Sequence, residues 1–352
     1  MRILVTGGAG FIGRRVVSTL AEAGHQVRVL DALLPDTHFS QVPPPYPDGV
    51  EFVRGDLRDP ATADAALRGV EMVSHHAAVV GRGKEMLDAP HHVSCNDLGT
   101  ANLLAAMAGR GIARLILAST VALYGDSNYD CPVHGRVRPE RRTRQDLEAG
   151  RFEPRCGACR APLQDSAVTE ADPLDPPRNI YAITKLTQEY LVEAWARETG
   201  SQAVALRYHN VYGPDIPYQS PYSGVAAVFR SMVARGEAPQ VYEDGGPTRD
   251  FVHVDDIAAA HKAALALRPS GFRAFNVASG VPHSIYDVAA ALAAARGAPE
   301  PVITGRYRIG DVRHIVASPR RLTEETGWRP AVGFDVGMKE FAHATMRGYP
   351  EG

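Results

Sequence analysis

Short apolar runs alternate with stretches of helical spacing along most of residues 1–206. The first run, Arg2-Ile-Leu-Val-Thr6, reads as a buried strand. A helical pattern follows through Val16, Val17, Leu20 and Ala23. Further strand-like runs are Gln26-Val-Arg-Val-Leu30, Val50-Glu-Phe-Val53, Glu71-Met-Val-Ser74, Arg114-Leu-Ile-Leu-Ala118 and Gln202-Ala-Val-Ala-Leu206. Helical spacing occupies residues 61–67 and 97–108, and a further helix carries Tyr181 and Lys185. Such alternation predicts an α/β fold, a doubly wound parallel sheet with helices on both faces. Past Arg207 the pattern turns irregular and richer in Pro, Gly and Tyr, which predicts a smaller substrate-covering region. Residues 35–49 read as a polar, proline-rich loop.

Between the first strand and its helix lie Gly7, Gly10, Phe11, Ile12 and Gly13. Glycines at this spacing allow a tight turn and a close approach of backbone to a pyrophosphate, which the helix N-terminus then favours. The second strand ends in Asp31, whose carboxylate would accept from an adenosine ribose and repel a 2′-phosphate. That favours NAD, with Arg14 and Arg15 leaving NADP as an alternative. Tyr181 and Lys185, four residues apart, share one helix face with Cβ atoms about 6 Å apart. A free phenol titrates near pH ~10, and an ammonium beside it favours the phenolate. With Thr120 bonding the same substrate hydroxyl, the set reads as a general acid/base.

Composition narrows the classes. Lys and Arg number 38 against 40 Asp and Glu, so no basic excess points to nucleic acid. No stretch approaches a membrane span, and four cysteines in 352 residues do not make a secreted disulfide scaffold. A cytoplasmic protein is expected. The cysteines are placed informatively, however. Cys131-Pro-Val-His134 and Cys156-Gly-Ala-Cys159 form two pairs with two-residue gaps, the spacing of a zinc ribbon. Residues 136–155 between them are mostly charged and need a staple, which a structural zinc would supply. A Cys156–Cys159 disulfide and free thiols are the rivals. The arginines at 136, 138, 141, 142 and 144 read as a solvated face.

Four motifs carry a resemblance: Thr6-Gly-Gly-Ala-Gly-Phe-Ile-Gly13; Ser119-Thr-Val-Ala-Leu-Tyr-Gly125; Tyr181 with Lys185; and Arg207-Tyr-His-Asn-Val-Tyr-Gly-Pro214. Thr248-Arg-Asp-Phe-Val-His-Val-Asp-Asp256 and Arg308-Ile-Gly-Asp311 add to them. The chain resembles the extended short-chain dehydrogenase/reductases of the nucleotide-sugar epimerase and dehydratase family. The cysteine-bearing insertion resembles that of a bacterial epimerase subgroup that includes dTDP-L-rhamnose 4-epimerases. The resemblance implies a Rossmann domain over residues 1–206, with residues 126–177 inserted as a zinc-ribbon-like subdomain. Residues 207–352 would be mainly substrate-binding, with 254–277 returning to the Rossmann domain.

It also implies roles. Asp56 and Leu57 would lie near the adenine, and Ala77 and Ala78 would skirt the cofactor. Thr120, Tyr181 and Lys185 match the catalytic triad, and Tyr208 the nicotinamide side. Asn210, Arg249 and Arg308 match groups that hold the nucleotide diphosphate, with Asp311 orienting Arg308 or capping a turn. His209 stands where the family usually has an aromatic residue. Sugar dehydratases carry an Asp-Glu pair where this chain has Val121 and Ala122, and sugar-acid decarboxylases a Glu at the second position. What remains suffices for 4-epimerisation with tightly held NAD on a nucleotide-diphosphate sugar, in a homodimer built on the helices at 97–108 and 181–197. The alternatives are an NAD(P)H-dependent ketosugar reductase and a non-catalytic NAD sensor whose zinc knuckle binds a partner.

Overall fold

A computed structural model describes residues 1–35, 37–81, 86–175, 177, 179–218 and 224–348. Along the chain come β1 (Arg2–Thr6), α1 (Phe11–Glu22), β2 (Gln26–Asp31), β3 (Glu51–Arg54), α2 (Pro60–Ala66) and β4 (Met72–His75). A helical stretch begins with α3 (Ala89–His92), widens into a π-helical turn over Val93–Leu98 and continues as α4 (Gly99–Arg110). Then come β5 (Arg114–Thr120), β6 (Asn128–Cys131), β7 (Gly135–Val137), α5 (Arg144–Glu148), β8 (Gln164–Ser166), α6 (Ile180–Thr199) and β9 (Gln202–Tyr208). The remainder includes β10 (Asn210–Tyr212), α7 (Val225–Ala234), β11 (Gln240–Val241), β12 (Thr248–His253), α8 (Val254–Ala264), β13 (Phe272–Val277), β14 (Pro282–Ser284) and α9 (Ile285–Arg296). It closes with β15 (Val302–Ile303), β16 (His314–Ile315), α10 (Arg320–Thr326) and α11 (Phe334–His343).

Seven strands form one parallel sheet in the order β13-β9-β5-β4-β1-β2-β3. Strand order reverses between β1 and β4, where open α/β sheets leave a crevice for ligands. The continuous apolar runs arise because both faces are covered. Successive side chains point to opposite faces. Thus Ile3, Val5, Ile116 and Leu206 pack with Val16, Val17 and Leu20 of α1 and Ile257 and Ala260 of α8. Leu4, Leu115, Leu117 and Ala205 pack with Leu103 and Met107 of α4 and Val192 and Trp195 of α6.

Helix α6 starts where Asn179 accepts from Ala182 N–H and ends at Gly200 in the left-handed conformation. Strands β5 and β9 run two residues beyond the apolar stretches, through Thr120 and Tyr208, which pair directly across the ladder. Hydrogen bonding to the neighbouring strand, rather than hydrophobicity, sets those ends.

The C-terminal part has a separate core, formed by α7, α9 and α11 around Tyr212, Phe229, Leu292 and Phe341. The insertion forms its own antiparallel sheet in the order β7-β6-β8. Its charged stretch is not simply solvated, as the sequence suggested. The Arg142 side chain is 10% exposed, pairs with Glu243 at 2.7 Å and donates to the Asp311 carbonyl. Glu153 pairs with Arg313 and bonds His314 at 3.0 Å. Their partners lie about a hundred residues or more away in sequence, so no local pattern announces them.

Candidate active site

A cavity of ≈ 420 Å³ lies at the carboxyl ends of β1, β2, β4, β5 and β9. At one end is the glycine-rich loop. Gly7 has φ +67°, and a Cβ there would come 2.6 Å from Ala77 N, so only glycine lets the loop lie against the chain after β4. A Cβ on Gly13 would overlap the Gly7 carbonyl oxygen, which holds α1 close beneath the loop. No side chain caps α1, whose first N–H groups are left for a ligand. Asp31, at the end of β2, accepts from Ala9 N–H and Leu33 N–H, each at 2.9 Å, and lies 3.4 Å from His38 Nε2.

At the other end β5 presents Thr120 and α6 presents Tyr181 and Lys185. The Thr120 and Tyr181 hydroxyls share a hydrogen bond. The Lys185 ammonium donates to the Ala118 carbonyl and, at 2.6 Å, to Gln188 Oε1. Gln188 in turn donates to Thr100, whose hydroxyl bonds His75 Nε2 at 2.9 Å. This chain of buried polar groups fixes the ammonium beside the phenol. Burial pushes Lys185 down to about 8, against Glu189 and Asp97. Burial also raises Tyr181, with the Thr120 hydrogen bond opposing it. Burial therefore holds the phenol above its ordinary value, where the sequence suggested that the neighbouring ammonium would lower it.

Behind these residues Arg207 forms a bidentate pair with Glu189, at 3.0 and 2.7 Å, and donates to Tyr124 Oη at 2.8 Å. The Ser119 hydroxyl donates to the same carboxylate. The pair locks α6, which carries Tyr181 and Lys185, to β9 and to β5, which carries Thr120.

The cavity is lined by Gly7, Gly10, Phe11, Ile12, Gly13, Asp31, Asp56, Leu57, Ala77, Ala78, Thr120, Tyr181, Lys185, Tyr208 and Asn210. Arg249, Arg308 and Asp311 are not in its wall. Arg249 donates to the carbonyls of Thr248, Val312 and Arg313. The Arg308 guanidinium lies over the Tyr242 ring at 5.1 Å, and Asp311 N–H closes a turn onto the Arg308 carbonyl.

Sequence reasoning missed a buried histidine group beside the cavity. Tyr208 Oη bonds His261 Nε2, His261 stacks on His76 with centroids 4.6 Å apart, and Ser74 Oγ bonds His76 at 2.9 Å. Burial holds His76 near about 3 and so neutral. Two adjacent histidines ending a buried strand were a signal; His261 gave none. His209 also lines the cavity, neutral through burial, and neither ring nitrogen has a hydrogen-bond partner among the described residues.

In the insertion, ligand atoms of Cys131, His134, Cys156 and Cys159 all lie within 4.8 Å of one another. Cys131 Sγ is 3.6 Å from His134 Nδ1 and 3.6 Å from Cys159 Sγ, and Cys156 Sγ is 3.4 Å from His134 Nδ1. All are free thiols, so the Cys156–Cys159 disulfide is not formed.

The sequence matches the NAD dependent epimerase/dehydratase family over residues 3–145 and 156–278. It is 36% identical to a dTDP-L-rhamnose 4-epimerase of Burkholderia thailandensis, over 96% of this chain and 93% of that one. A UDP-glucose 4-epimerase of Streptomyces lividans is 31% identical, over 94% of this chain and 92% of its own. Among solved structures, the Thermus thermophilus UDP-glucose 4-epimerase in complex with NAD superposes with a TM-score of 0.74 at 33% identity, covering 97% of this chain and 98% of that one. The Thermotoga maritima UDP-glucose 4-epimerase with UDP-glucose gives 0.76 at 28% identity, covering 97% of both chains.

Proposed function

The chain belongs to the NAD dependent epimerase/dehydratase family, and from that premise we propose how its residues invert C4 of a nucleotide-activated sugar. The observation that carries the reading is the single cavity joining the glycine-rich loop to Thr120, Tyr181 and Lys185. The donor set at the loop end fits a dinucleotide: free helix N–H groups for its diphosphate and the Asp31 carboxylate for a ribose. NAD held there supplies a reversible hydride acceptor for the sugar carbon. Taking the proton of the C4 hydroxyl requires Tyr181 as phenolate, a form that burial opposes and that the Lys185 ammonium and the positive charge of bound NAD would favour; Thr120 holds that hydroxyl. The 4-ketosugar then turns over in the pocket, and Tyr181 would return its proton to the carbonyl oxygen as hydride comes back to the other face of C4, leaving the inverted alcohol.

Anchoring during that turn falls to the nucleotide diphosphate. Asn210, in the cavity wall, is the direct contact we assign to it. Arg308, whose guanidinium lies over the Tyr242 ring, is assigned as the cation, and Asp311 caps the turn carrying that arginine. Arg249, which also donates to the Val312 and Arg313 carbonyls, is assigned with Arg308 to the diphosphate, as its motif implies. Residues 1–206 with 254–277 serve the cofactor, and the rest chiefly the sugar nucleotide. The relatives' names put a dTDP-6-deoxyhexose or a UDP-hexose first among candidates.

The cysteine group is read as a structural zinc site. A tetrahedral ion with bonds of about 2.3 Å to sulfur and about 2.0–2.1 Å to nitrogen sets ligand-to-ligand edges of about 3.5–3.8 Å. The separations of 3.4 and 3.6 Å lie within a few tenths of an ångström of those edges. Four protein ligands leave no open position, so the role is structural.

A panel of dTDP-, UDP-, GDP- and ADP-sugars, incubated without added cofactor and followed by NMR, tests the reading. Interconversion of C4 epimers is expected. Turnover that demands stoichiometric reduced dinucleotide would replace it with a ketosugar reductase.

A further inference from the structure

The C-terminal segment returns to the glycine-rich loop, 338 residues away in sequence. After α11 it runs alongside residues 215–218. Asp215 N–H donates to the Thr345 carbonyl at 2.8 Å, Arg347 N–H to the Ile216 carbonyl at 3.1 Å, and Tyr218 N–H to the Arg347 carbonyl at 2.8 Å. Pro217 and Arg347 form a parallel bridge. This pairing sets the Arg347 side chain over the loop, where Nη1 donates to the Ala9 carbonyl at 3.0 Å. Arg347 lines the same cavity as Gly10, Phe11 and Asp31.

Two details point to a ligand. The Arg347 Nε–H is buried and has no hydrogen-bond partner among the described residues. A buried donor left unmade is costly, and more so on a charged group. Burial lowers the Arg347 pKa, the charge of nearby Arg14, itself 3.6 Å from Asp215, adds to that, and Asp215 and Asp31 oppose it. Two guanidiniums are thus held together against mutual repulsion, next to a helix N-terminus that already favours an anion. A diphosphate, with about two negative charges, would relieve both costs.

We propose that Arg347 binds a phosphate of the adenosine-diphosphate half of the dinucleotide, so that the C-terminal segment fastens the cofactor in its cavity. The substrate-side segment 215–218, the chain terminus and the cofactor loop then meet at one guanidinium. The fastening accounts for cofactor retention through a catalytic cycle that ends with the dinucleotide in its starting state. It rests on the epimerase reading, which needs bound NAD.

The test uses the full chain with Arg347→Met and Arg347→Lys. Dinucleotide content is measured by chromatography after gel filtration and denaturation, and release is timed after dilution. The melting temperature is recorded with and without NAD. Arg347→Met should release NAD at least about tenfold faster than wild type, with Arg347→Lys between them. The melting temperature of the dinucleotide-free protein should stay constant while the NAD-induced rise shrinks. Wild-type release rates in Arg347→Met would overturn the proposal. So would an equal fall in melting temperature with and without NAD, which marks a merely structural contact. Faster release of NADP alone would assign the guanidinium to a 2′-phosphate and overturn it as well. A wild-type protein that neither carries nor binds a dinucleotide would instead fail the epimerase reading, and this proposal with it.

Discussion

Tyr181 and Lys185 are the residues whose chemistry depends most on their surroundings. Tyr181→Phe keeps the ring and removes the exchangeable proton. Turnover should fall by at least about a hundredfold while nucleotide binding, followed by calorimetry, survives. Near-normal epimerisation would remove Tyr181 from the mechanism. Lys185 provides a pH test. Its ordinary value is 10.5 and burial lowers it to about 8. Between those values the unfolded chain binds the extra proton, so stability rises with pH. The contribution is complete above pH 10.5 and lost as pH falls through about 8, a span on the order of 3 kcal/mol. Denaturant midpoints of NAD-free wild type and Lys185→Met across that window should diverge accordingly. Parallel curves would mean the ammonium is solvated. The four-residue spacing of this pair was legible from the sequence; the Gln188–Thr100–His75 chain that fixes the ammonium was not, because those groups come from three separate elements.

The insertion shows the same division at the scale of an element. Its cysteine and histidine spacing is a local property, and the four side chains do converge. How it attaches is not local: Glu153 and Arg142 reach Arg313, His314 and Glu243 in the C-terminal part. Arg313 is nearly fully buried and also pairs with Glu243 and Asp244, so losing Glu153 removes the contact to the insertion while leaving the guanidinium paired. Glu153→Gln should loosen the insertion without unfolding the main sheet. Limited proteolysis should then cut within residues 136–155 earlier than in wild type, and the Michaelis constant should rise more than turnover falls. Chelation of the metal should expose the same segment by the other route, and elemental analysis should find one zinc per chain beforehand. Unchanged cleavage in both cases would show that the insertion is held by something else.

For the molecule as a whole, the open question is assembly. Helices α4 and α6 bury one face against the sheet through Leu103 and Trp195, which are therefore core and not contact residues. Their neighbourhood leaves Val93, Leu98, Ile183 and Tyr190 exposed, with Tyr190 59% accessible. An apolar strip on two adjacent helices fits a second copy meeting it across a two-fold axis. Sedimentation should show a homodimer at micromolar concentration, and Ile183→Glu with Tyr190→Glu should shift it to monomer with the fold intact by circular dichroism. A wild-type monomer would end that reading.

The strands, the glycine-rich turn and the Tyr181–Lys185 helix were decided by the sequence itself. Each rests on short-range rules: apolar runs bury, glycine turns where a side chain would collide, and four residues make one helical turn. Tertiary structure decided what long-range contact controls. It set the strand ends that carry Thr120 and Tyr208, and placed Arg249 against the carbonyls of Val312 and Arg313. It neutralised His76 and His209 by burial, and carried Arg347 back to a loop at the opposite end of the chain. Charge, solvation and the direction of a donor depend on neighbours that only the folded chain supplies, and in this protein those neighbours come from remote segments.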